Sequence, residues 1–376
     1  MEEKGLIYDV KLSSVGPGNV TGPDSIFEPG SMGLAMKLHY LRGVYYLERP
    51  AFEGLSTLEI KEPMFTWLNQ YPPTCGRFRR AESGRPYVKC NDCGLTKFKC
   101  GAAAVGLSWA HVLGDAFSAA EYMNSLGRVA TGCGPYRPIN LSHTTPKPVN
   151  SNGRPKVVAE PLSIKRVDPV GDNWTHSSSI KMETFSFNLT HMQLSQIQTK
   201  LGGEFSSFEA ISAIMWKCIA KTRVEDSEPK IVTICKREEN NKMSHLRNGQ
   251  VVSVVSVDSS TALADPSKLA SLVKNEAFDE TYMIEEAMER EEGLADFIVY
   301  GANLTFVNLE EAGFYDFEYR GEKAVRVSYK MDGVGDKGLV MVLPGPKGEG
   351  RSIVVVVPEN EINGLKLELE KEGFGA

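Results

Sequence analysis

The chain has 376 residues, 41% of them hydrophobic and 24% charged, with Lys+Arg 42 against Asp+Glu 48. A formal net charge of -6 without a basic stripe argues against a dedicated nucleic-acid binder. Gly 35 and Pro 20, with no sustained repeat, exclude collagen, coiled coil and wholesale disorder, and the length suggests two domains. No run of about 20 apolar residues is present, so no membrane span is expected. The opening MEEKGLIYDV is acidic at once and lacks a positively charged leader. That predicts no secretory signal, a cytoplasmic location and free thiols for the seven cysteines. Cys90 and Cys93 form a CxxC with Cys100 and His111 beyond them. A zinc site ordinarily brings two paired half-sites, and with one pair here no metal is expected.

In chain order, residues 5–15 suit an opening strand, followed by a Gly/Pro-rich loop. That loop lacks the GxxxxGK[ST] pattern of a phosphate cradle. SMGLAMKLHYLRGVYYL starts helical and ends in the β-favouring Val44-Tyr45-Tyr46. Residues 55–70 read as helix, with Pro63 at a first turn or a break. The run Phe78-Arg79-Arg80, with Arg85, reads as a solvated loop. KFKCGAAAVGLSWA (97–110) reads as a buried strand, and helical spacing resumes from Ala116 to Leu126. Residues 132–180 are rich in Gly, Pro, Asn, Ser and Thr and mark a crossover between domains. The domains are then 1–150 and 181–376, joined by 151–180.

The second half restarts with the alternating strand METFSFNLT. Thr190 is placed to cap the helix after it, which Gly202-Gly203 would end. SSFEAISAIMWKCIAKTR is an amphipathic helix, and KIVTIC and QVVSVVSV are strands. Residues 265–291 read as one long helix with a solvated acidic face. ANLTFVN, AVRVSY, GLVMVL and SIVVVV are further strands. Hairpin turns are expected at GVGDKG and GPKGEG, and NEINGLKLELEKE closes the chain as a helix. The sum is a mixed α/β protein with no dinucleotide-binding fingerprint.

The sharpest chemical feature is SWAHVLGDAFSA, residues 108–119, in which His111 and Asp115 make an HxxxD. A histidine where a buried strand hands over to a helix can act as general base, because its pKa lies near working pH. Asp115 would reach back into the protein and fix the loop. Trp67, Trp109, Trp174 and Trp216 are expected in the core, and His39, His143, His176, His191 and His245 follow no ligand spacing.

The wider pattern resembles the BAHD acyltransferases, which move acyl groups from coenzyme A to alcohols and amines. It is carried by SWAHVLGDAFSA, by FSFNLTHMQLSQIQTKLGGEFSSFEAISAIMWKCIAKTR, by KIVTICKREENN and by ANLTFVNLEEAGFYDFEYRG. Within the family it is most similar to the ECERIFERUM wax-protein branch, through MGLAMKLHYLRGVYYL, YGANLTFVNL and GVGDKGLVMVLP. The resemblance implies two similar chloramphenicol-acetyltransferase-like α/β domains, with a channel between them that holds His111. It implies direct transfer without an acyl-enzyme, His111 as the base and Asp115 as a structural residue paired with a basic group such as Arg237.

For this branch it implies promotion of very-long-chain fatty-acid elongation; a monomer is expected. The protein would act as a partner of an elongase condensing enzyme, reaching the endoplasmic reticulum through that partner. Acyl-CoA is the substrate to be expected, with no cofactor held tightly. The alternative is an active acyl-CoA-dependent transferase with His111 as base. Two departures bear on this choice. The family's DFGWG is here Asp316-Phe317-Glu318-Tyr319-Arg320, which should alter that turn. Between CNDCG (90–94) and TKFKCG (96–101) a strand-helix block of the first domain is missing, which predicts an exposed apolar patch or instability.

Overall fold

A computed structural model describes residues 14–22, 24–47, 49–92, 104–133, 159–176, 180–224, 227–238 and 246–374. The first half contains β1 (Ile26–Phe27), α1 (Ser31–Ala35), β2 (Tyr40–Leu47), α2 (Thr57–Leu68), β3 (Arg77–Arg80), β4 (Pro86–Lys89), β5 (Ala104–Ala110) and α3 (Ala116–Ala130). There follow β6 (Lys165–Val167), β7 (Met182–Leu189), α4 (His191–Lys200), α5 (Ser207–Thr222), β8 (Ile231–Arg237), β9 (Gln250–Ser256), α6 (Pro266–Asn275), β10 (Phe278–Asp279) and α7 (Thr281–Arg290). The chain then runs through β11 (Asp296–Ile298), β12 (Leu304–Asn308), β13 (Glu318–Tyr319), β14 (Glu322–Asp332), β15 (Leu339–Pro344), β16 (Arg351–Pro358) and α8 (Ile362–Lys371). The opening strand, residues 97–103, the junction at 94–96, Cys93, Cys100, His143 and His245 fall wholly or largely outside the described residues.

Local chemistry sets several helix starts. Ser56 with Glu59 caps α2, Thr190 with Gln193 caps α4, and Ser206 with Glu209 caps α5. Each pair satisfies two of the backbone N–H groups that a helix start leaves unbonded. α2 continues through Pro63, so that proline neither starts nor breaks it. The Trp67 indole donates to the Tyr122 carbonyl at 2.9 Å and pins α2 to α3.

Two sheets carry the fold, in the orders β13-β14-β2-β5 and β10-β9-β8-β12-β15-β16-β7. In the larger sheet β12 runs parallel to β8 and β15, and the other pairs are antiparallel. Side chains along β15 and β16 alternate between two cores. Leu339, Met341, Leu343, Val354 and Val356 join the core that holds Leu34, Trp67 and Phe117. Val340, Val342, Ile353, Val355 and Val357 join the core built on Trp216, Ile219 and Leu365. A sheet buried on both faces needs apolar residues at every position, which is why SIVVVV is a continuous run.

Several expectations are corrected by pairing between distant segments. Residues 265–291 are two helices, because Phe278 and Asp279 pair with Val254 and Ser253 of β9 and interrupt the helix. The Thr281 hydroxyl then accepts from Val252 N–H and fixes the start of α7 beside the sheet. GVGDKG is a crossover, since β14 lies in the smaller sheet and β15 in the larger; GPKGEG does close a hairpin, between β15 and β16. Residues 318–332 therefore complete the sheet of the first half although they lie late in the chain. Phe78-Arg79-Arg80 is strand, paired with β4, with Arg80 bound to Asp172 and Arg85 to Glu289. Within the expected crossover, β6 pairs with β11.

The altered turn remains a tight hairpin. Arg320 and Gly321, with φ of 53° and 89°, form a two-residue connection between β13 and β14. Two positive φ values in a row are those of a type I′ turn, whose twist matches the strands it joins.

Candidate functional site

The site is assembled where the two sheets meet. Antiparallel pairing of Tyr40 with Ala110 places His39, just before β2, beside His111, just after β5. The His111 N–H donates to the His39 carbonyl at 3.0 Å. A 3-10 turn, His111–Leu113, follows, and the Trp109 indole donates to the Gly114 carbonyl at 2.8 Å. A Cβ at Gly114 would meet the Ser118 side chain, so this loop has no room for a larger residue. Asp115 then caps α3, with Oδ1 accepting from Ser118 N–H at 2.9 Å.

A loop from the other half of the chain closes over this turn. Gly249 N–H donates to Asp115 Oδ2 at 2.9 Å, and Asn248 Nδ2 donates to the His111 carbonyl at 2.9 Å. Asp115 N–H and Ser118 Oγ both donate to the Arg247 carbonyl, at 3.1 and 2.9 Å. Among the described residues, the Asp115 carboxylate is thus held by backbone N–H groups in place of the expected arginine. The Arg237 guanidinium lies over the Phe117 ring, 5.1 Å from its centroid.

His111 and Asp115 are only 1% and 4% exposed, so the imidazole does not face open solvent. Its Nε2 lies 2.9 Å from the Tyr300 hydroxyl, and that oxygen accepts from Gln250 Nε2 at 2.6 Å. His39 also packs against Tyr300, with ring centroids 4.9 Å apart, and its Nε2 accepts from Val299 and Tyr300 N–H. Burial holds His111 below the ordinary histidine range, opposed by the charge of Asp115. Burial likewise pushes His39 down to about 3, helped by His111. The Tyr300 hydroxyl is pushed well above its usual value by burial and stays protonated. The arrangement therefore presents a neutral imidazole whose Nε2 already shares a hydrogen bond with a phenol.

The HxxxD residues fall together as the sequence suggests. Tyr300, Gln250 and Asn248 are not legible there, and His39 is read as ordinary. One sequence signal bears on His39: it directly precedes one strand as His111 directly follows another. That signal becomes usable only when the two strands are known to pair.

A family model described as the Transferase family matches residues 94–372. Protein ECERIFERUM 26 of Arabidopsis thaliana is 36% identical over 420 aligned positions, covering 99% of this chain and 97% of that protein. The alignment is longer than the 376 residues of the chain, so it opens gaps here. Protein ECERIFERUM 2 of the same plant is 32% identical, covering 98% of this chain and 99% of that protein. Among solved structures, vinorine synthase matches with a TM-score of 0.70 at 14% identity, over 96% of this chain and 97% of its own. F. graminearum TRI101 complexed with coenzyme A and deoxynivalenol matches at 0.69 and 11%, over 93% and 99%. At these identities the structural matches establish the fold, which is the mixed α/β fold expected from the sequence. The near full-length sequence matches go further: this chain belongs to the BAHD acyltransferase family, in its ECERIFERUM branch.

Proposed function

We propose that this protein promotes elongation of very-long-chain acyl groups for cuticular wax, as a partner of an elongase condensing enzyme. The likeness to ECERIFERUM 26 over nearly the whole of both chains carries this reading. The buried site supports it, since the His111 Nε2 is already occupied by Tyr300. Acyl-CoA is the molecule it would meet at the elongase, without a tightly held cofactor. The proposed place of action is the cytoplasmic side of the endoplasmic reticulum, reached through the partner. No helix among the described residues is long and apolar enough to cross a membrane.

The second reading is acyl-CoA-dependent transfer, favoured by the intact loop geometry of His111 and Asp115. His111 would take the proton of an alcohol or amine as it attacks the thioester carbonyl. The carbon–sulfur bond then breaks, and the coenzyme A thiolate leaves with the proton from the imidazolium. Asp115 would hold the loop in place and take no proton.

Yeast cells carrying a plant condensing enzyme, with this protein intact or as His111→Ala, separate the two. Equal lengthening of fatty acids by equally abundant proteins supports the partner role. Lengthening by the intact protein alone moves transfer chemistry to first place, and no lengthening by either overturns the elongation role.

A further inference from the structure

Two side chains from separate segments set the state of the His111 ring. Gln250, at the start of β9, donates its amide N–H to the Tyr300 oxygen at 2.6 Å. Tyr300, between β11 and β12, lies with that oxygen 2.9 Å from His111 Nε2. A phenol has one hydrogen to give. Gln250 donates to its oxygen, and among the described residues Nε2 is the only acceptor the hydroxyl meets, so that hydrogen points to Nε2. A neutral imidazole has one accepting nitrogen, so the ring proton sits on Nδ1. That Nδ1 is buried, with no full hydrogen bond among the described residues; the Asn248 side chain is the polar group that acts on the ring there. The Tyr300 backbone is fixed as well: its N–H donates to His39 at 3.3 Å, and its carbonyl accepts from Gly335 N–H at 2.9 Å. Tyr300 and Gln250 are 1% and 4% exposed, so water does not compete for these bonds.

We infer that Tyr300, oriented by Gln250, is a positioning residue that holds His111 as its Nδ1–H tautomer with the Nε2 lone pair occupied. An acceptor hydroxyl arriving at Nε2 finds a base only after the Tyr300 hydroxyl has turned away. The HxxxD loop is intact in this chain, yet its base is latched. This concerns the site on which both readings above rest, and it holds whether or not the chain serves an elongase.

The test uses full-length protein labelled with 15N-histidine and long-range 1H–15N correlation spectra at pH 7.5. The signals absent from His111→Gln assign the residue. The expected wild-type pattern is a pyridine-type Nε2 and a pyrrole-type Nδ1. Tyr300→Phe removes the donor, and His111 is expected to revert to the commoner Nε2–H form. Gln250→Leu leaves the hydroxyl but frees its orientation, so the Nε2 signal shifts part of the way. A wild-type His111 in the Nε2–H form overturns the inference, as does a folded Tyr300→Phe protein with unmoved His111 signals. If Tyr300→Phe does not fold, the wild-type and Gln250→Leu spectra decide. A purely structural role for Tyr300 would not change which nitrogen carries the proton.

Discussion

Asp115→Ala isolates the joint between the two halves of the chain. The carboxylate is 4% exposed and accepts two backbone N–H groups, Ser118 at the start of α3 and Gly249 from the facing loop. Losing the helix cap costs about 1 kcal/mol. Losing the bond to the half-buried Gly249 N–H adds roughly 1 kcal/mol. The expected loss is therefore about 2 kcal/mol. Asp115→Asn keeps an acceptor for Ser118 but turns an amide N–H2 towards Gly249, so it should fall between wild type and alanine. Urea unfolding followed by far-UV circular dichroism measures both against wild type, with the slope checked for constancy. An alanine variant within about 0.5 kcal/mol of wild type refutes the reasoning, since surface changes that touch nothing fall in that range.

Three further outcomes are expected. A Cβ at Gly127 of α3 would land on the Glu318 carbonyl, so Gly127→Ala should destabilise by about 1–3 kcal/mol, while Gly106→Ala, which meets nothing, stays close to wild type in the same assay. Arg320 has a φ of 53°, where a side chain costs about 1–2 kcal/mol that glycine avoids. Arg320→Gly should therefore raise the urea midpoint slightly after the added freedom of the unfolded glycine is subtracted; a clear drop would show that the arginine side chain holds the turn. His39 binds a proton near pH 6.5 when unfolded and only near about 3 when folded. Between those values the unfolded state holds more protons, so stability falls as pH falls, by about 1.4 kcal/mol per unit, and His111 adds in the same direction. His39→Gln should flatten the profile between pH 6 and 4.5, approximately by that slope; an unchanged profile would assign the acid sensitivity elsewhere.

The amino-acid sequence by itself determined what depends on neighbours along the chain. The Thr190 cap, the amphipathic helix from Ser207 to Thr222 and the apolar runs of β15 and β16 are local patterns, and each formed as read. The HxxxD spacing placed His111 at the strand end and Asp115 at the helix start, because both positions are fixed within one turn of backbone. The motifs around it also carried the family. Tertiary structure decided what depends on partners far along the chain. Phe278 and Asp279 break a helical pattern because β9 offers backbone bonds there. β14 joins β2 across most of the sequence, which local periodicity does not encode. The ring state of His111 is set by Tyr300, 189 residues away, and through it by Gln250. A hydrogen bond specifies its partner by distance and direction in space. Residue order supplies neither until the sheets have brought the two halves together.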